Sequence, residues 1–514
     1  MRRRSIAILF LGVILLTLSL VSLFALGGGE AAAEPDERDA REHLDFALSG
    51  NPDTLDPHAT SGTLTFQVVR SIYDTLLEPN REGEIVPALA ESWEVSPDGL
   101  EWTFRLRRGV RFHHGRELTA ADVVATIDRI LDPAFASPNI SDFEAIDSAV
   151  AVDDYTVQLN LSRPQAPLLG ALASGWSAIL PADLIGAGHD FAGEPVGTGP
   201  FAFEQWVRDS RIVLQRNPEY WMEERPYLDG VTFHIITERA VQIQGLLAGE
   251  LDVVDIVTDT DIDLVQDNPQ TKLDTDLSSL VMVLAVNNER EPLGDLRLRQ
   301  AISLAINRQP VLDVAYGGGE PVGSFIDSGD PAYPDFADVY PYEPARAREL
   351  IEELDLPEDL VLSIAVPQNF QPHVRAGEIY QEMLRDVGLR TELRLLDWST
   401  WLTEVYRGSN FDLTVIGHTG KLDPDGRLGP YDSADNYVQW YNGEAAALIA
   451  EARRETNQET RRQMYTRVLE IMAVELPHVY IGSNYRHVGL RRNVSGFHMD
   501  SKLDTFDLRT VRLE

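Results

Sequence analysis

VLSIAVPQNFQPHVRAGEIYQEMLRDVGLRTELRLLDWSTWLTEVYRGSNFDLTVIG, residues 361–417, decides the fold class. Residues 361–366, 391–396 and 411–417 are short β-branched or alternating runs, the pattern of strands. Residues 375–387 carry apolar positions at helical spacing and stop at Gly388; residues 400–406 form a shorter helical stretch that stops at Gly408. The order strand, helix, strand, helix, strand predicts an open α/β layer with a parallel component.

On the C-terminal side, residues 444–474 predict one or two helices closed by Pro477, followed by a strand at 478–482. On the N-terminal side, residues 297–316 predict a long helical tract interrupted at Pro310 and closed by Gly317, Gly318 and Gly319, and 345–354 an amphipathic helix. Residues 40–285 hold more strands and fewer helices: 102–106, 155–161, 211–215 and 231–236 all alternate. Thr119 and Asp122 have capping-box spacing before the apolar run 123–131. The chain therefore divides into two parts of different build, with no internal repeat.

Composition narrows the function. The 514 residues contain 44 Lys+Arg against 82 Asp+Glu, a formal charge of −38, and no cysteine. Such acidity excludes the basic footprint of a nucleic-acid binder. Zero cysteine excludes disulfides, thiolate metal sites, thiol nucleophiles and a lipidated cysteine. Only three of the cations are lysines: Lys272, Lys421 and Lys502.

Residues 1–33 have the plan of an export signal: Arg2, Arg3 and Arg4, then an uncharged apolar run over 6–26, a glycine break, and Ala31–Ala33 as a small-residue cleavage site. The 21 apolar residues would also span about 30 Å of hydrocarbon as a helix, so an uncleaved anchor is the alternative. Both place the rest of the chain outside the cytoplasm.

A series of ordered blocks identifies a family. IVPALAESWEVSPDGLEWTFRLRRGVRFHHG (residues 85–115) with LTAADVV (118–124) resembles the signature of the extracellular solute-binding proteins of family 5, the peptide-, nickel- and oligosaccharide-binding components of ABC importers. DDYTVQLNLSRPQAPLL (153–169), PVGTGPFAFEQW (195–206), RNPEYW (216–221), LAGELDVVD (247–255), LAVNN (284–288), LRLRQAISLAINR (296–308), YGGG (316–319) and RNVSGF (492–497) continue the resemblance in order.

The resemblance implies an α/β bilobal periplasmic-binding-protein type II-like fold with an extra subdomain in lobe I, the cluster C type. Lobe I would span 42–285 with a C-terminal return over 483–514, and lobe II 286–482. The chain would cross near 286–288 and again near 481–483. The implied partners are a small-molecule ligand, enclosed by hinge closure, and the membrane permease of an importer. No nucleic acid, cofactor or metal is implied, and the expected state is a monomer.

In the family the turn after the 411–417 strand reaches the ligand, so His418, Thr419, Gly420, Lys421, Asp423 and Asp425 are candidate contacts. Dipeptide-binding relatives typically carry an aspartate directly after a glycine here, for the peptide ammonium. This chain aligns Lys421 there, and two ammonium groups repel; a shifted turn would offer Asp423 or Asp425 instead. Where those relatives tend to place an arginine for the ligand carboxylate, this chain has the neutral Gln368 and Asn369, and the next arginine, Arg375, falls inside the predicted helix. Neutral amides with Trp398, Trp401, Trp440 and Tyr441 nearby suit hydroxyl-rich ligands, whereas Lys421 favours a carboxylate or phosphate. A second wall is expected from Thr60, Ser61 and Thr63, which could equally cap the helix that follows.

Catalytic signatures are missing. The chain has no HExxH, no GxSxG and no Gly-rich phosphate loop. Residues 259–270 begin like a calcium loop but carry Leu264 and Gln270 at its two obligatory positions. The nine acidic residues over 250–276 are read as a solvated face, and adjacent His113 and His114 point to opposite sides of a strand. An extracellular hydrolase and a chemoreceptor-type ligand sensor are the rival functions.

Overall fold

The computed structural model describes residues 42–514 except 82, 331–332, 420 and 501. The expected signal or anchor lies outside the described residues, as does Gly420.

One large sheet carries the bilobal fold. Its eleven strands run in the order Thr391–Leu396, Leu362–Pro367, Leu413–His418, Thr271–Val286, His478–Arg491, Val253–Val257, His43–Leu48, Gly230–Ile235, Arg211–Arg216 and Phe201–Val207, with Gly319–Pro321 paired to His478–Arg491 off this path. The three strands of 361–417 are mutually parallel, as their strand–helix alternation requires. Their central members are apolar on both faces because helices cover both, and the cores of lobe II lie on either side.

Two long antiparallel strands join the lobes. Thr271–Val286 pairs with His478–Arg491 from Thr271↔Arg491 to Ala285↔His478. The N-terminal half of the first strand lies beside the lobe I elements, and its C-terminal half pairs with Leu413–His418 of lobe II. The register slips between Leu277 and Val281, an irregularity that bends a strand locally.

Lobe I adds a four-stranded antiparallel sheet, Ala90–Val95, Glu101–Leu106, Thr156–Leu161 and Ile146–Asp153, with its own core. The signature block supplies this subdomain. Trp102, Phe104 and Leu106 alternate inward and are buried. The Thr119 capping box opens the helix Ala120–Leu131, and Asp122 there also pairs with Arg116. Gly197 and Gly199 are needed for close approach: a Cβ on either would stand 2.2–2.6 Å from the Ile72 carbonyl oxygen.

Three readings are corrected. The helical tract 297–316 breaks at Ile306–Asn307, not at Pro310, giving Leu296–Ala305 and Arg308–Tyr316; Pro310 sits in the first turn of the second helix, where its missing N–H has no helical partner to lose. The predicted strand at 478–482 runs on to Arg491, because its continuation is sheathed by neighbours from both lobes. The acidic stretch 250–276 is not a uniformly solvated face: Asp252 is buried just before the strand Val253–Val257 and Asp255 within it.

Candidate functional site: an interlobe cleft

A cavity of about 1250 Å³ opens between the lobes, lined from both sides. Two seams bring the walls together. At one, Gly170 of the subdomain lies against Leu422 and Asp423 of lobe II, where a Cβ would come within 3.2 Å of the Asp423 Cβ. The Ala166 N–H also donates to the Arg453 carbonyl there at 2.8 Å. At the other, Gly317 of lobe II faces Asp259 of lobe I.

The lobe II wall is built by the turn after Leu413–His418. Thr419 and Lys421 line the cavity and are exposed. The two acids that follow are turned inward. Asp423 receives both guanidinium arms of Arg461 at 2.6 Å, and Asp425 accepts from Arg453 Nε at 2.8 Å and the Tyr465 hydroxyl at 3.3 Å. Arg427 secures the turn from behind, donating to the carbonyls of His418, Ser279 and Phe325. Burial pushes the Asp425 carboxyl up against the pull of Arg453. Asp423 and Asp425 touch the cavity wall, but their charge is spent on the scaffold.

Lys421 is placed differently. Its stem lies over Gly426, whose Cβ would stand 2.8 Å from the lysine Cγ. Among the described residues no carboxylate comes within ion-pair distance of it. The facing charge is Asp142 of lobe I, whose carboxyl is raised by burial and drawn back down by Lys421 and the Trp176 indole.

A second cation enters from the helix Gln371–Asp386. Arg375 lines the cavity, donates Nη2 to the Ala315 carbonyl at 2.9 Å, and leaves Nε buried without a hydrogen-bond partner. Position within a helix had not pointed it at a site; its place near the helix start, beside Pro372, turns it to the cleft.

On the lobe I wall, Asp255 accepts from the Ser49 hydroxyl at 2.9 Å and the Ser49 N–H at 3.2 Å, both on Oδ2. Its Oδ1 is buried with no partner, and burial pushes the carboxyl up while Arg486 opposes. Arg486 itself pairs with Asp504. Ser61 and Thr63 line the cavity from the start of the helix Thr63–Val69. That helix has Gly62 as its N-cap and no side-chain cap.

The remaining candidates stand elsewhere. Thr60 is buried, donating to Asp53 at 2.8 Å and accepting from the Gly62 N–H. Asn369 accepts from the Trp398 N–H at 3.0 Å, and Gln368 continues the sheet edge through its N–H to Leu396. Trp398 stacks on Trp401 with centroids 5.1 Å apart. His418 shares a hydrogen with the Tyr437 hydroxyl at 2.8 Å, and burial, then Arg427, lowers it to about 3. Trp440 is buried and donates to Glu475 at 2.8 Å. None of these six lines the cavity. Asp142, Arg163, Arg375, Arg454 and Asp255 do line it, and nothing in their local sequence distinguishes them from surface charges.

A two-lobed α/β molecule, crossed by paired strands and open at a polar cleft, has the build of a binding protein. Residues 84–439 match the family described as bacterial extracellular solute-binding proteins, family 5 Middle. The chain belongs to this family. It is 28% identical over 512 residues to di/tripeptide-binding protein 1 of Pseudomonas aeruginosa, covering 92% of this chain and 94% of that protein. Among solved structures it is similar to HbpA2 of Haemophilus parasuis, at 26% identity and a TM-score of 0.84, covering 92% of this chain and 100% of that one. It is also similar to AgaA of A. tumefaciens R10 in complex with agropinic acid, at 28% identity and a TM-score of 0.71, covering 92% and 99%. As a family 5 solute-binding protein, the chain acts outside the cytoplasm as the capture component of an ABC importer.

Proposed function

We propose that this family 5 protein captures a small polar solute, peptide-like or another small organic anion, and releases it chemically unchanged to the importer's permease. The observation that carries the reading is the cleft itself. Both lobes contribute polar groups to it whose hydrogen bonding is incomplete, Asp255 Oδ1 from lobe I and Arg375 Nε from lobe II. Buried polar atoms without partners are costly, and a shift of both side chains toward a bound solute would relieve that cost. The relatives support the size and chemistry: one is named for di- and tripeptides and another holds agropinic acid.

We place the hinge at the register slip between Leu277 and Val281 and at the facing Ser483–Tyr485, where the crossing strands pass from one lobe to the other. Lobe I is then 42 to about 278 with the return from about 485, a boundary some residues earlier on the first strand than the 285/286 expectation. Residues 1–33 direct export, as a cleaved signal or a retained anchor. With no cysteine in the chain, lipid attachment through that residue is not available, and the working unit is a monomer without cofactor or metal.

Native mass spectrometry of the purified protein tests the reading. One small molecule per chain, released intact on unfolding, is the expected result. Turnover of a small substrate by the cleft, with no stable complex, would overturn it in favour of a hydrolase.

A further inference from the structure

The charge of the cleft runs against the charge of the molecule. The chain as a whole has 44 cationic side chains to 82 carboxylates. The cavity lining has seven to six. Two of the three lysines in the chain are among the seven.

Pairing sharpens the contrast. Asp423, Asp425 and Asp504 are each held by an arginine, Arg461, Arg453 and Arg486. The Lys502 side chain is only 7% exposed and bridges to Asp330 at 2.8 Å and Asp327 at 3.5 Å. Among the described residues, Lys421, Arg163, Arg454 and Arg375 line the cavity with no carboxylate partner. The unpaired acids are Asp142, which faces Lys421, and Asp259 and Asp255, which line the lobe I wall. Three of the four free cations, Lys421, Arg163 and Arg454, belong to the segments that meet at the Gly170 seam. A net negative molecule repels anions at long range, but screening at physiological salt cuts that field off within about 8 Å. Inside the cleft the nearby free cations decide.

We propose that this seam is an oxyanion subsite and that the captured solute is acidic, carrying a carboxylate or phosphate beyond any that Arg375 engages. Lys421 is the specificity-determining residue of that subsite, with Arg163 and Arg454 at its rim. On ligand entry the oxyanion gives Lys421 the close counter-charge that no described carboxylate supplies. The inference rests on the solute-capture reading and deepens it.

The test is isothermal titration of the full chain with four peptides, Ala-Ala, Ala-Glu, Ala-phosphoserine and Ala-Lys. Wild type should bind Ala-Glu or Ala-phosphoserine at least about tenfold more tightly than Ala-Lys, charge-assisted contacts being the strong ones; which of the two binds better distinguishes carboxylate from phosphate. The preference should shrink with added salt. Lys421→Met should erase most of it, and Lys421→Glu should reverse the order, with unfolding midpoints unchanged because the side chain is exposed. Equal binding of Ala-Glu and Ala-Lys, or an order unaltered by Lys421→Glu, overturns the oxyanion subsite while leaving solute capture intact. If none of the peptides binds and no solute accompanies the purified protein, both readings fall.

Discussion

Two strand-to-helix loops leave neighbouring parallel strands of lobe II, one after Leu362–Pro367 and one after Leu413–His418. Both are polar and both end at a helix. The first closes on its own edge: Asn369 accepts from the Trp398 N–H, and the Gln368 N–H donates to Leu396. The second turns its acids into the lobe against Arg461 and Arg453 and leaves Lys421 in the cleft, without an ion-pair partner among the described residues. The difference lies in the partners rather than in the residue types. A polar side chain serves the scaffold where a buried group claims it and serves a ligand where none does.

Acid should have the largest effect, and it falls on both lobes: His373 and His418 are set beside these two loops, His58 and His113 in lobe I. Burial holds His58, His113 and His373 at about 4 and His418 at about 3, below the usual 6.5. From pH 6.5 downward the unfolded chain takes up protons that the folded rings refuse, so stability rises with pH across this window and is lost as pH falls towards 4. Urea unfolding at pH 7.5 and 5.5 should differ by about 1 kcal/mol per ring, about 4 in all; an equal stability at the two values would contradict the burial of these rings as neutral groups.

The next effect belongs to the second loop alone. Arg461→Ala leaves Asp423 without its counter-ion, and should cost about 3 kcal/mol in denaturant unfolding and weaken solute binding with it. A loss in binding without any loss in stability would mean that Asp423 faces the ligand after all.

Arg375→Met removes a cation that, among the described residues, bonds the scaffold through the Ala315 carbonyl. Affinity for the co-purified solute should fall about tenfold, with stability changed by no more than about 1 kcal/mol. Smallest is the first loop: Asn369→Ala should cost about 0.5–1 kcal/mol for one exposed hydrogen bond and leave affinity unchanged. A tenfold drop there would erase the distinction between the two loops.

Much of the fold was legible in the sequence. Residues 361–417 announced a parallel layer because each strand is apolar and each intervening stretch has helical spacing, and those are local properties. The ordered blocks from residue 85 onward carried the bilobal architecture. Pro310 misled because a proline marks a helix start as readily as a break, and only the backbone at Ile306–Asn307 decides which.

The site was legible only in part. Ser61, Thr63, Thr419, Lys421, Asp423 and Asp425 line the cleft, since the turn that holds most of them follows directly from a recognisable strand. The roles within that turn were not legible, because Arg461 and Arg453 lie about 30 or more residues downstream of their acids. Asp142, Arg163 and Arg454 come from segments that meet only when the lobes fold together. The aromatics Trp398 and Trp440 were attractive as stacking faces, yet one stacks on Trp401 and the other is buried against Glu475.

The most direct measurement is the identity of the molecule that the protein carries. Unfolding the purified full chain and analysing the released solute by mass spectrometry should yield one small organic acid per chain, with an acidic group in addition to any α-carboxylate. Release of a neutral or basic solute would contradict the acidic cleft ligand, and a chemically converted substrate would contradict capture itself.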